Sequence, residues 1–274
     1  MRVETNLSFF MRLHLFEFED LPWFPETIRS GGTDYLRYFL ILTELYQPTI
    51  ALINESLETT NENNIIDLCS GGGGYIEQIC EGLGRIRNKN FKITLTDKYP
   101  NLTAFRYLKE KTEGKIDYYS DSVDVSNVPS ELKGFRTSFS AIHHFRPQQV
   151  KEILQNAILA GSPIGIFDGG TNRILAILGM IIIHPIALIL FTPFFKPFRL
   201  SRIFFTYLLP LIPICTVWDG VVSILRMYHP KELRNIADSI QNSNYVWRQG
   251  KTKNRFGIKA TYLIGYPHII VSSA

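Results

Sequence analysis

The stretch Asp67-Leu68-Cys69-Ser70 followed by Gly71, Gly72, Gly73 and Gly74 has the clearest chemical content in the chain. An acid closing an apolar run can accept hydrogen bonds from a ribose or an amino group. Glycines carry no Cβ, so the backbone behind that acid turns tightly and lets a ligand approach. A helical pattern from Tyr75 would offer the free N–H groups of its first turn to the same place. A second acid, Asp97, closes the next apolar segment. His143 and His144 follow a later one, and an imidazole with a pKa near about 6.5 suits proton transfer near neutrality. Asp168 closes a further segment, just before Gly169 and Gly170.

The elements that must position these residues alternate. Strands are expected at 65–68, 91–96, 115–119, 134–140 and 163–168, and helices at 75–84, 101–111 and 147–160. Ahead of them, Thr33 or Asp34 is expected to cap a helix running to Pro48. A second helix is expected at 49–58. After a long apolar interruption, a helix at 229–242 starts at His229-Pro230, with Pro in its first turn, and strands at 244–249 and 259–265 close the pattern. The basic residues between 248 and 259 read as a solvated loop. Strands separated by helices imply a mainly parallel sheet covered on both faces. The expected division is an N-terminal helical lid (1–60), an α/β core (61–170), a hydrophobic helical insertion after the fifth strand (171–228) and a return to the core (229–274).

Composition narrows the class. The 274 residues are 45% hydrophobic and 13% aromatic, enough for one large packed domain. The net charge of +4 comes from scattered basic residues, so nucleic acid is not an expected partner. Cys69, Cys80 and Cys215 have no metal-ligand spacing, and no metal is expected. Their odd number points to a reducing compartment. Glu17, Glu19 and Asp20 interrupt any signal-peptide core.

Three readings compete for the glycine run. A phosphate-binding P-loop needs a following Gly-Lys-Ser/Thr, and no Lys is there. A dinucleotide fingerprint needs a third small residue, where this chain has Ile76 or Glu77. An acid, then Gly71 and Gly73, with a second acid closing the next strand, fits the third. In these residues the chain resembles the class I S-adenosylmethionine-dependent methyltransferases. Asp67 through Gly73 match the first motif, Asp97 the second, and Asp124-Val125-Ser126-Asn127-Val128-Pro129 the third. Cys69 stands where the family usually has Gly. The resemblance covers residues 60–168 and more weakly 229–266, and it implies a Rossmann-like methyltransferase fold.

It also implies roles. S-adenosyl-L-methionine is the implied cofactor. Asp67, Cys69, Gly71 and Gly73 belong to its loop, the two glycines against the methionine part. Asp97 takes the ribose hydroxyls, Asp124 the adenine amino group, and Val125 packs on the ring. His143 or His144 faces the methyl acceptor as a base. Asp168, Trp218, Asp219 and Arg226 are candidate acceptor contacts, unless Asp219 and Arg226 simply pair. Arg29 and Tyr35 are candidate lid contacts to the cofactor carboxylate. The segments 16–36 and 218–228 resemble a bacterial subgroup of such enzymes that carries a hydrophobic insertion.

That insertion is nearly all apolar from Ile174 to Val217, broken by Lys196, Arg199 and Arg202. Its first run is long enough to span a bilayer, although His184, Pro185 and Pro193 weaken it. Both ends rejoin one core, so a spanning hairpin would place its basic residues on the far side, against the positive-inside tendency. The favoured reading is a hairpin dipping into one leaflet, its basic residues at anionic headgroups, on the cytoplasmic face of the membrane. A spanning hairpin and a soluble cap are the alternatives. The expected function is methyl transfer to a small, apolar or lipid-like acceptor near the membrane. An inactive methyltransferase-like binding protein and a nucleotide-cofactor oxidoreductase are the rival readings.

Overall fold

In the computed structural model, residues 12–87, 91–170, 173–241 and 244–268 are described. The start of the expected insertion at 171 and residues 1–11 of the lid lie outside them; the helix expected to run to 242 ends instead at Asp238. Seven strands form one sheet: β1 (Asn64–Leu68), β2 (Lys92–Leu95), β3 (Ile116–Tyr118), β4 (Phe135–Phe139), β5 (Ile164–Gly169), β6 (Tyr245–Lys253) and β7 (Lys259–Pro267). Their order is β3-β2-β1-β4-β5-β7-β6. The first five run parallel, and β7 lies antiparallel between β5 and β6. This is the mainly parallel, seven-stranded Rossmann-like layout the sequence predicts. The strand order reverses between β1 and β4, and ligands of open α/β sheets bind at the carboxyl ends of strands beside such a reversal.

Side-chain alternation along the strands sorts the core. Ile65 and Phe135 face one side with α2 (Thr49–Thr59), α3 (Ile76–Ile86) and α4 (Leu102–Lys111). Ile66, Ile164 and Ile166 face the other, with α5 (Pro147–Leu159) and α9 (Pro230–Asp238). On α3 the buried residues Ile76, Ile79, Cys80 and Leu83 fall at i, i+3, i+4 and i+7, a single apolar stripe. Burying each large aliphatic side chain in such a stripe contributes about 1.5–3 kcal/mol.

Two local expectations fail. α1 runs Glu26–Thr43 with Pro25 at its N-cap, so Thr33 and Asp34 are interior rather than capping. Asp34 is fully buried and paired at 3.3 Å with Arg202 from the insertion. The basic stretch near 250 is no loop either: β6 continues to Lys253 and β7 begins at Lys259, a long hairpin.

The insertion holds α6 (Arg173–Phe191), α7 (Leu200–Ile203) and α8 (Leu211–Arg226). The segment Ile174–Phe194 has a mean hydropathy of 2.8, and only 11% of its most apolar window is buried. Ile182, Ile186 and Leu190 stand more than half exposed. The second apolar run bends by 81° between residues 200–208 and α8, so it is not one straight rod. Phe24, Ile28 and Tyr35 of the N-terminal part pack with Leu188, Phe195 and Ile212 in one apolar cluster, so lid and insertion share a core. The basic residues do not gather at an outer tip. Arg202 is buried, Arg199 donates to Asn101 Oδ1 at 2.9 Å, and Lys196 alone of the three is exposed. Buried Asp34 is the reason: it needs a cationic partner, and Arg202 supplies it.

Candidate active site

The glycine loop leaves β1 in a left-handed path. Cys69, Gly71, Gly73 and Gly74 all have positive φ, at 57°, 53°, 92° and 46°. Such angles suit glycine and strain an L side chain by about 1–2 kcal/mol. The Cys69 side chain fits there, but its backbone is strained. A Cβ on Gly72 would lie 2.9 Å from the carbonyl oxygen of Thr33, because α1 passes directly behind the loop.

Asp97 follows β2 at the mouth of this loop. Its Oδ2 accepts the Gly71 N–H at 2.8 Å and its Oδ1 the Tyr99 N–H at 2.7 Å. Each oxygen keeps a lone pair for a ligand. Burial pushes the Asp97 pKa up, although these two bonds pull it down. Asp97 does not cap the next helix; Asn101 does, accepting from the Ala104 N–H at 3.2 Å. Loop and acid enclose a cavity of about 420 Å³, lined by Cys69, Ser70, Gly71, Asp97 and Tyr99 among others.

Four residues of the expected cofactor set do not reach this cavity. Asp67 lies beneath the loop, accepting Ser70 Oγ at 2.6 Å and Thr137 Oγ1 at 2.8 Å. Burial pushes its pKa up to about 7. Gly73 backs onto α4: a Cβ there would sit 2.2 Å from Leu108 Cδ1. Asp124 is exposed, turns back to the N–H and hydroxyl of Ser126, and pairs with Lys98 at 3.6 Å. Val125 is buried in the apolar cluster on the α5 side of the sheet. The third motif closes a turn here, since a short Asp side chain readily bonds the backbone two residues on.

A second cavity, of about 310 Å³, lies beneath the insertion. Phe24, Ile28, Phe39, Met180 and Ile224 give it an apolar wall; His143, His144, Asp168 and Asp219 give it a polar floor. Glu19, Arg29, Leu36, Leu40, Ser140 and His144 line both cavities, so the two share one wall.

The two histidines sit differently on that floor. His143, in the turn after β4, is 3% exposed. Its backbone N–H donates to Asp168 Oδ2 at 3.1 Å, and its Nδ1 lies 2.8 Å from the same oxygen. A carboxylate there holds the proton on Nδ1 and leaves a lone pair on Nε2. That Nε2 is buried and, among the described residues, has no hydrogen-bond partner. His144 meets Asp20 Oδ1 at 2.9 Å, Glu17 Oε2 at 3.2 Å and Glu19 Oε1 at 3.4 Å. Burial opposes a charge on it, yet the three acids hold its pKa up at about 10. His144 is therefore a cation at neutral pH, and of the two it is His143 that has a ring nitrogen without a hydrogen-bond partner among the described residues.

The candidate acceptor contacts divide likewise. Asp168 and Asp219 line the apolar cavity; Trp218 and Arg226 do not. Trp218 donates from Nε1 to the Phe16 carbonyl at 3.0 Å. Asp219 and Arg226 do not pair with each other. Asp219 accepts the N–H groups of Phe18 at 2.7 Å and Glu19 at 3.2 Å. Burial, then Glu19 and Glu17, push its pKa up to about 8. Arg226 is buried, donates to the Leu15 carbonyl at 3.0 Å, and pairs with Glu17 at 3.0 Å and Asp20 at 2.8 Å. Both residues tie the N-terminal segment onto α8. Arg29 lines both cavities while donating to the Glu19 and Leu21 carbonyls. Tyr35 lies in the apolar cavity, its hydroxyl 2.6 Å from His184 Nδ1, away from the glycine loop.

Glu17 and Glu19 are what sequence reasoning missed. Glu17 and His144 come from segments far apart in the chain, and no local spacing links them; Asp20, which bonds the same histidine, stands 124 positions away from it.

No protein-family model matches the chain, and no curated protein matches it. Solved structures resemble it in layout. An O-methyltransferase family protein from Burkholderia thailandensis shares 15% identity at a TM-score of 0.46, over 81% of this chain and 56% of its own. The methyltransferase domain of bacterial CtHen1-C shares 13% at 0.47, over 82% and 100%. Human N-acetylserotonin methyltransferase in complex with SAM shares 11% at 0.45, over 86% and 56%. The chain thus spans little more than half the length of the first and third. At these scores the resemblances carry no weight for activity, and what the chain does must be read from its own site.

Proposed function

We propose that the chain is an S-adenosylmethionine-dependent methyltransferase whose acceptor is a small, apolar or lipid-like molecule reached from the cytoplasmic face of a membrane. One observation carries this reading: the glycine-loop cavity and the apolar cavity share a wall of six residues, His144 among them. Group transfer needs donor and acceptor on two sides of one junction, with water kept out.

The donor side fits the cofactor by its chemistry. Asp97 retains acceptor lone pairs for a diol, the Tyr99 ring lines the cavity with the Arg29 guanidinium 4.5 Å from its centroid, and the loop is open because Gly71 and Gly72 carry no side chain. No lysine follows the loop to hold a phosphate. When bound, the cofactor supplies a methyl group already activated on a sulfonium. The protein's part is then to orient the acceptor, exclude water and activate the nucleophilic atom. His143 is the residue for activation, because its Nε2 lone pair is buried, unengaged and held in place through Asp168. His144, charged at neutral pH, is not a base.

The apolar wall selects the acceptor class. The outward face of α6 supports access from a membrane, since an exposed apolar stripe of this size is costly in water. Thermal shift with S-adenosylmethionine and with its demethylated product is the direct test. Stabilisation by both, followed by transfer of labelled methyl into a lipid extract, is the expected result. The reading is lost if neither compound shifts the unfolding temperature.

A further inference from the structure

The corner between the two cavities holds more than a base. Three side chains from two separate segments converge there: Glu17 from the N-terminal segment, and His143 and His144 from the turn after β4. Each offers one ligand atom, and these atoms all lie within 4.8 Å of one another. Glu17 is fully buried and His143 is 3% exposed. Among the described residues, Glu17 Oε2 and His143 Nε2 are both buried without a hydrogen bond. Glu17 Oε2 still faces His144 Nδ1 at 3.2 Å, but His143 Nε2 has no partner, which costs about 1–3 kcal/mol unless something binds it.

What surrounds them is the support a metal site needs. The second nitrogen of His143 is held by Asp168 at 2.8 Å, which fixes the tautomer and aims Nε2. The other oxygen of Glu17 is held by Arg226 at 3.0 Å and by Ser223 Oγ at 3.3 Å, which turns Oε2 toward His144 Nδ1, 3.2 Å away. His144 is braced by Asp20. Glu17, Glu19, Asp20 and Asp168 bring carboxyl groups to this corner beside the guanidinium of Arg226, and Arg29 lines both cavities.

We propose that Glu17, His143 and His144 bind a divalent transition-metal ion where the two cavities meet, with its open coordination position toward the acceptor. Two imidazoles and one carboxylate suit zinc and its neighbours rather than magnesium or calcium. Three protein ligands leave a position for an exogenous one. The acceptor that completes such a site carries an oxygen able to bind as an anion, such as a phenol or an enol, its proton passing to Glu19, which lines the same cavity. A lone pair holding an ion does not take a proton, so with the ion bound, activation runs through it. This revises the sequence expectation of no metal, which considered cysteine spacing and not residues brought together by folding.

The inference rests on the methyltransferase reading for the identity of the acceptor, not for the ion. Chelator-treated full-length protein is titrated with Zn²⁺, and separately with Mn²⁺, by calorimetry. Metal retained after desalting is counted by elemental analysis. About one ion per chain is expected. Asp168→Asn weakens binding about 10- to 100-fold by freeing His143, and Glu17→Gln and His143→Ala weaken it further. The S-adenosylmethionine thermal shift persists in all three, showing that fold and glycine cleft are intact. If the unaltered protein binds neither ion, or if Glu17→Gln and His143→Ala bind as it does, the metal site is refuted. A cofactor shift without metal binding leaves the methyltransferase reading standing alone. Metal binding without a cofactor shift does the reverse.

Discussion

Asp168 grips His143 twice, through the backbone N–H at 3.1 Å and through Nδ1 at 2.8 Å, and so sets which nitrogen is free. Asp168→Asn removes the charge and disturbs that tautomer. Turnover is expected to fall about 10²- to 10⁴-fold with a much smaller change in KM. Steady-state kinetics across pH tests this. A purely structural Asp168 would lower stability while leaving the pH profile of the surviving enzyme unchanged.

Asp97 presents one free lone-pair site on each oxygen to the glycine-loop cavity. Asp97→Ala should weaken S-adenosylmethionine binding about 10- to 100-fold, as expected for losing hydrogen bonds to a charged group worth about 1.5–3 kcal/mol. Calorimetric titration measures it. An unchanged Kd would remove Asp97 from the cofactor site.

Within the loop, the same substitution should have unequal costs. At Gly73 a methyl group meets the buried Leu108 at 2.2 Å in a left-handed backbone, whereas at Gly74 it meets open space. Gly73→Ala is expected to destabilise by about 2–4 kcal/mol and Gly74→Ala by about 1–2 kcal/mol. Urea unfolding of the pair distinguishes packing from backbone strain.

Burial holds the Asp67 pKa at about 7 in the folded chain, against an ordinary carboxyl value in the unfolded chain. Between these values the folded state binds the extra proton, so stability is greatest below the lower one and declines as pH rises towards 7. Asp67→Asn has no proton to lose. Its unfolding temperature should fall less than that of the unaltered protein between about pH 4 and pH 7. Parallel curves in that window would show that Asp67 does not titrate there.

The exposed face of α6 should carry membrane binding. The double variant Ile182→Asp/Ile186→Asp is expected to lose vesicle binding about tenfold or more, since each residue removes about 1.5–3 kcal/mol of apolar contact. Raising the salt should matter little, because Arg202 and Arg199 are engaged within the protein. Vesicle flotation at two ionic strengths reads both. Strong salt dependence would move the interaction from apolar contact to headgroup charge.

Most strand and helix positions were legible because each element repeats its own period: α3 places Ile76, Ile79, Cys80 and Leu83 on one face, and a parallel sheet buries nearly continuous apolar runs. α1 was misplaced. Its start at Glu26 follows Pro25, while Thr33 and Asp34, which look like caps, are interior, and Asp34 is answered by Arg202 from a segment far along the chain.

By itself the sequence determined the cofactor-side framework: the glycine loop, Asp97 beside it, the alternating core and the apolar insertion. These are local, since each depends on the residue types and spacing of one segment. Only the tertiary structure decided which side chains meet. It set Asp67 and Asp124 aside, bonding them to nearby Ser70 and Ser126, and gave the free lone pair to His143 rather than His144. It also drew Glu17 onto the histidine pair. Charge and hydrogen bonding act between atoms a few ångströms apart, and that proximity comes from packing the N-terminal segment against α8 and the turn after β4, not from order along the chain.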